Sequence, residues 1–272
     1  MHRKVLQRFG LAKDPFTKDV PPDQLFGHPG SEVAVDRLVT ALEGRVSAVL
    51  TGEPGTGKTF VFRAAEARLP QGRFRVTYIH NATLKLADFY RQISASLGIE
   101  PRATAEAVFR AVSTEIEEIA LAQKMQTVIV IDEAHLLPIA VLGHLHILLN
   151  YHKDSKPLLS IVMIGLSELR EKLSRNVFGS LAARLAVRIH IQPLDAEQVG
   201  NYLRHRLRIA GCSNEVFSED AILLTTEATG GILRKIDVLA SAALEVSVEA
   251  KNRVIDASVI QDAVKRCAEA IV

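Results

Sequence analysis

Lys58 and Thr59 close the run Gly52-Glu53-Pro54-Gly55-Thr56-Gly57-Lys58-Thr59, and its residue types suit one kind of chemistry. Glycines at 52, 55 and 57 let successive backbone N–H groups turn toward an anion, and a helix beginning directly afterwards adds positive potential. A lysine at 58 reaches the β- and γ-phosphates of a nucleoside triphosphate, and the Thr59 hydroxyl ligates Mg²⁺. The spacing G-x-x-x-x-G-K-T predicts nucleotide binding through Gly52, Glu53, Pro54, Gly55, Thr56, Gly57, Lys58, Thr59 and the adjoining Phe60. A second pair, Asp132 and Glu133, follows the apolar run Val128-Ile129-Val130-Ile131. Asp132 is expected to hold Mg²⁺, directly or through water, and Glu133 to orient or deprotonate an attacking water. Ser167 and Glu168 end another apolar run, where a polar side chain could sense the γ-phosphate; Glu168 could equally begin the next helix.

These residues need a scaffold that brings strand ends together. Strands are predicted near 47–50, 75–80, 127–131, 158–165 and 187–191, each an apolar or alternating run. Helical patterns separate them: 60–69 stopped by Pro70, 86–97 closed by Gly98, 104–124 after Pro101, and 136–152 with Pro138 in its first turn. Asn81 to Lys85 reads as a loop, and Lys153 to Pro157 as a polar turn. Alternation of strand and helix predicts an α/β fold with a parallel five-stranded sheet flanked by helices.

From Leu194 onward the pattern is all helical. Asp195 with Gln198 forms a candidate cap, and Val199, Tyr202, Leu203, Leu207 and Ala210 form an apolar stripe. Further helices are expected near 218–228, 231–250 and 257–270. The domain reading is therefore an N-terminal arm at 1–30, an α/β nucleotide-binding domain at 31–193 and a small all-α lid domain at 194–272. The arm reads as irregular because Pro15, Pro21, Pro22 and Pro29 break helices. Phe9, Phe16, Leu25 and Phe26 let it dock and offer a wall for a nucleotide base. His144, His146 and His152 invite a metal reading, but residues two apart on a helix do not share a face, so packed or solvent-facing histidines are expected.

The 272 residues are 48% hydrophobic and 24% charged, with a formal charge of +2, so any basic surface has to be local. Cys212 and Cys267 have no metal-ligand spacing and are read as buried free thiols in a reducing compartment. The charged N-terminus is followed by no apolar run, and no segment approaches the ~20 apolar residues of a membrane span. A cytoplasmic protein without a membrane partner is expected.

The phosphate loop, the Asp132-Glu133 pair, the polar strand end near Ser167, Arg184 and the helical C-terminal region together resemble the AAA+ ATPases. Phe9-Gly10-Leu11 with Pro15-Phe16, Ile164-Gly165-Leu166-Ser167-Glu168-Leu169 and Gly230-Gly231-Ile232-Leu233-Arg234-Lys235-Ile236 are similar to the ExeA-like subgroup, which includes secretion ATPases and relatives of the transposition regulators TniB, TnsC and MuB. The resemblance spans about residues 5–270. It implies ATP with Mg²⁺, hydrolysis to ADP and phosphate, and a homo-oligomer, either ring or helical filament. It also implies that Arg184 is a finger reaching a neighbouring subunit's γ-phosphate, with Arg188 as the competing candidate, and that Arg234 ties the helical lid to the nucleotide.

The function expected on this basis is an ATP-dependent regulator that assembles on duplex DNA and recruits a transposase or integrase. Lys85, Arg91, Lys153 and Lys156 lie on segments that line the central channel in such assemblies, and Arg204 and Arg208 share a lid-helix face. The alternative is an ExeA-like ATPase of envelope or secretion assembly acting on protein partners. That role calls for a membrane span and an outward domain after the ATPase, which residues 194–272 do not read as. Asp132-Glu133-Ala134-His135 also spells a helicase motif, but such helicases need two domains of this α/β type, and only one fits before residue 194.

Overall fold

The computed structural model describes residues 3–80, 82–100, 102–251 and 253–268. Asn81 and Pro101, read above as loop and connection, lie outside them, as do the last residues of the final helix expected over 257–270. The chain divides into two compact units.

The first unit comprises Gly30–Gly52 and Lys58–Ile191. Its five strands are β1 (Ala48–Gly52), β2 (Phe74–Ile79), β3 (Gln126–Ile131), β4 (Leu159–Gly165) and β5 (Val187–Ile191). All pairings are parallel, in the order β2-β3-β4-β1-β5. The three central strands are buried along their whole length, as expected for a parallel sheet covered on both faces. One apolar layer joins Leu38, Leu42, Phe62, Ala65, Val130 and Ile164. The opposite layer joins Phe89, Ile93, Val112, Ile116, Leu142 and Leu145. Gly98 ends the helix Leu86–Leu97 with φ 79°, its N–H donating to Ala95 O and Ser94 O, so the stop read at this glycine is a left-handed cap.

The helix expected over 136–152 is shorter and starts later. Ala134–Leu136 is a 3₁₀ turn, Pro138 precedes the first helical residue, and the α-helix runs Ile139–Leu148. Proline has no N–H to donate back into a preceding turn, so the helix restarts after it. His152, expected in this helix, instead begins a left-handed turn at φ 50°.

The second unit comprises Met1–Pro29, Glu53–Gly57 and Gln192–Val272. The arm is not wholly irregular. Arg3–Phe9 is helical, because Val5 and Phe9, four residues apart, bury one face. With Leu11 and Phe16 they join the core formed by Val199, Leu203, Leu239, Leu244 and Ile260. The helix Ala196–Ile209 opens with a reciprocal capping box between Asp195 and Gln198, and Leu233–Glu249 and Ala257–Arg266 follow with Glu219–Thr229 before them. No helix among the described residues is long and apolar enough to cross a membrane.

Candidate functional site

In the α/β unit, the carboxyl ends of β1 and β3 present the residues singled out for chemistry. The helix Lys58–Arg68 begins with Lys58 and Thr59, the last two residues of the glycine-rich loop. Lys58 is buried and donates to Gly52 O at 3.0 Å. Thr59 Oγ1 lies 3.5 Å from Asp132 Oδ2. Although β4 separates β1 from β3 in the sheet, the first turn of this helix brings the hydroxyl to the carboxylate. A threonine hydroxyl and an aspartate carboxylate are hard oxygen donors, the kind Mg²⁺ takes, so the pair fits that ion.

Asp132 is held from two further directions. Its Oδ1 accepts the Glu133 N–H at 2.9 Å, and its Oδ2 accepts the Tyr78 hydroxyl. Tyr78 stands on β2 opposite Val130, two residues before Asp132. Burial, and then the hydrogen bond to Asp132, push the Tyr78 hydroxyl well above its ordinary pKa, so it stays a donor to the carboxylate. Nothing in the pattern of β2 marked Tyr78; only the strand register does.

Glu133 has φ 51° and ψ 35°. A left-handed glutamate costs about 1–2 kcal/mol relative to the right-handed form. This conformation turns the chain at once after β3 and leaves the Glu133 side chain 54% exposed. Its Oε2 lies 3.4 Å from His135 Nδ1, and the same ring nitrogen faces the Leu166 N–H at 3.4 Å. Lys172 donates to the carbonyls of His135 and Leu137 and holds the turn in place. Ser167 is half-buried and Glu168 exposed just past β4, beside Leu166.

In the second unit, the loop segment Glu53–Gly57 is closed on itself. Thr56 donates to Glu53 O through both its N–H, at 3.3 Å, and its hydroxyl, at 2.9 Å. Gly55 and Gly57 have φ of 84° and 94°, which only glycine adopts without strain. Arg234 N–H donates to Gly55 O at 3.2 Å. The preceding Gly231, at φ 72°, sits so close to the Leu194 carbonyl that no side chain fits.

A phosphate-binding loop, a paired threonine and carboxylate, and a 51432 parallel sheet coincide with what comparison with known proteins shows. The AAA domain family matches residues 41–173. General secretion pathway protein A of Aeromonas hydrophila is 34% identical over 241 residues, covering 88% of this chain. The chain belongs to the AAA+ P-loop ATPases, in their ExeA-like subgroup.

This AAA+ chain spans only 44% of the length of that relative. Among solved structures, Cdc6p of Pyrobaculum aerophilum is similar with a TM-score of 0.72 and 18% identity, over 94% of this chain and 71% of that one. Aeropyrum pernix ORC1, solved in complex with DNA, has a TM-score of 0.67 and 20% identity, over 97% and 69%. The Thermotoga maritima RuvB branch migration motor has 0.59 and 14%, over 93% and 73%. At these identities the likeness is one of fold.

The remaining candidates are dispersed. Arg184 ends the short helix Gly179–Arg184 and pairs with Asp154 at 2.8 Å. Its Nε is buried without a hydrogen-bond partner, which costs about 1–3 kcal/mol. Arg188, on β5, donates to Ala182 O at 3.3 Å. Lys85, Lys153 and Lys156 are exposed, whereas Arg91 is paired with Asp88 at 2.6 Å. Arg204 bonds Asn201 Oδ1 at 2.8 Å. His144 packs against Tyr90 and Phe109, with Nδ1 2.7 Å from the Tyr90 hydroxyl.

Arg206 was absent from the sequence reading. It is 8% exposed and donates to Pro15 O and Thr17 O, both at 2.6 Å, and to the Tyr202 hydroxyl at 2.8 Å. Tyr202 in turn donates to Asp237 Oδ1 at 2.5 Å. This network fastens the arm to the helical core. The available signal was position: Arg206 is seven residues after Val199 and three after Leu203, on the apolar face of its helix.

Proposed function

We propose that the chain binds ATP with Mg²⁺, hydrolyses it to ADP and phosphate, and uses that cycle to control assembly with further copies of itself and with a protein partner. The observation that carries this is the approach of Thr59 Oγ1 to Asp132 Oδ2 at 3.5 Å, across 73 residues of sequence. Residues 52–60 bind the phosphates, with Lys58 exchanging its bond to Gly52 O for one to the β- and γ-phosphates. Thr59 and Asp132 hold Mg²⁺, which would neutralise phosphate charge when bound. Glu133, exposed and next to Asp132 in sequence, orients or deprotonates the attacking water. Ser167 or Glu168 senses the γ-phosphate, Arg234 links the helical lid to the nucleotide, and the domain limits follow at 30 and 193. Arg184 completes the site of a neighbouring copy, so hydrolysis depends on assembly.

The proposed partner is a protein of secretion assembly, a reading supported by the 34% identical relative, whose name places that relative in general secretion. By this reading the chain is an ATPase of envelope or secretion assembly. Duplex DNA with a transposase is the second reading, favoured by the exposed Lys85, Lys153 and Lys156, which could neutralise phosphates. Phosphate release from ATP, measured across a protein concentration series, tests the proposal; turnover per subunit should rise with concentration. A rate per subunit independent of concentration would remove the shared site. Titration of labelled duplexes at several salt concentrations, with a slowly hydrolysed ATP analogue, separates the two partners. Salt-sensitive binding supports the DNA reading, and no binding at low salt leaves the protein partner.

A further inference from the structure

Arg184 is restrained within its own subunit by a residue on a strained turn. Asp154 Oδ2 accepts from Arg184 Nη2 at 2.8 Å, and Nη1 donates to Ser180 O at 3.3 Å. The guanidinium is thus engaged on both outer nitrogens while Nε has no partner. Arg184 is 24% exposed and Asp154 58%. The Nη2 N–H held by the Asp154 carboxylate cannot be given to a phosphate at the same time. To act on a neighbouring copy, Arg184 has first to leave Asp154.

The turn that supplies Asp154 is itself unusual. His152, Lys153 and Asp154 have φ of 50°, 59° and 67° in succession. L-residues visit this region as single residues, not in runs. The turn is held by Ser155 Oγ on His152 O at 2.7 Å and by the pairing of His152 Nε2 with Glu117 Oε1 at 2.5 Å. Strain of this kind persists where the surroundings over-determine it, and it marks elements that can switch.

We infer that Asp154 is an autoinhibitory restraint on Arg184, releasing it only when a second copy offers a phosphate in exchange. The inference rests on the reading of Arg184 as a finger. Asp154→Asn is a clean probe, because asparagine tolerates positive φ at least as well as aspartate and only the charge changes.

The test uses mixed subunits, so that the finger and the site it serves lie on different chains. Lys58→Ala copies supply Arg184 but cannot turn over ATP, and Arg184→Ala copies supply an intact site without a finger. Turnover in the mixture is then carried by the Lys58→Ala copy's arginine. Adding Asp154→Asn to the Lys58→Ala copy should raise that turnover about two- to fivefold, the worth of a partly exposed ion pair. Adding it to the Arg184→Ala copy should change nothing, and Asp154→Glu in the finger copy should return the rate toward its starting value. An equal rise from either copy, or no rise from the finger copy, overturns the restraint while leaving the finger. A mixture that shows no turnover although the copies co-assemble removes the finger reading, and the restraint with it.

Discussion

The backbone N–H of Arg234 donates to the carbonyl of Gly55 at 3.2 Å, so the apex of the phosphate loop is tied to the first turn of the helix Leu233–Glu249. A Cβ on Gly55 would lie 2.8 Å from Arg234 Cβ and 3.1 Å from Ile232 Cγ2. Gly231 makes the approach possible by packing its bare Cα against the Leu194 carbonyl while its own carbonyl accepts the Leu194 N–H at 2.9 Å. Gly231, three residues before Arg234, is therefore part of the loop's support.

Gly55→Ala tests that support. Alanine meets both the positive φ and the contact with Arg234, a strain of about 1–3 kcal/mol. Nucleotide affinity should fall by about ten- to a hundredfold with the circular dichroism spectrum retained. Fluorescent nucleotide titration reads the change, and an unaltered affinity would separate the loop's conformation from binding.

Glu133→Gln addresses the water-activating role. The amide keeps the shape and cannot take a proton, so turnover should drop by about 10²- to 10⁴-fold while ATP affinity holds. If single-turnover phosphate release is unchanged, the role moves elsewhere, with Glu168 first in line.

Asp237→Asn should flatten a pH dependence of stability in the helical unit. Burial, only partly offset by Arg206, raises the Asp237 carboxyl to about 6. The folded state thus takes up a proton at higher pH than the unfolded chain. Its contribution is fully present below the unfolded pKa of about 4 and is lost as pH rises through about 6. The wild type should lose about 2 kcal/mol relative to Asp237→Asn between pH 4.5 and pH 7.5. Urea melts at the two pH values measure this, and parallel slopes for both proteins would contradict it.

Arg206→Met should loosen the arm. The change leaves the carbonyls of Pro15 and Thr17 and the Asp237 carboxyl without their buried cation. A loss of about 3–5 kcal/mol is expected, because breaking one side of a buried charged network strands the other. Limited proteolysis should then cut within residues 10–24 sooner than in the wild type. Equal cutting rates would show that apolar packing of Phe9 and Phe16 holds the arm unaided.

Local structure was legible in the amino-acid sequence. The phosphate loop, the carboxylate pair, the five strands, the Gly98 stop and the Asp195-Gln198 cap each depend on residues within a few positions of one another, where steric and hydrogen-bonding preferences are decided by type and spacing. Tertiary structure decided the rest. Tyr78 reaches Asp132 only through the register of β2 on β3, and Arg184 meets Asp154 across 30 residues through a left-handed turn that no propensity favours. Arg206 meets Pro15 and Thr17 across about 190 residues. Long-range polar partners of this kind are set by which buried groups lack water, a property of the packed fold and not of any segment within it.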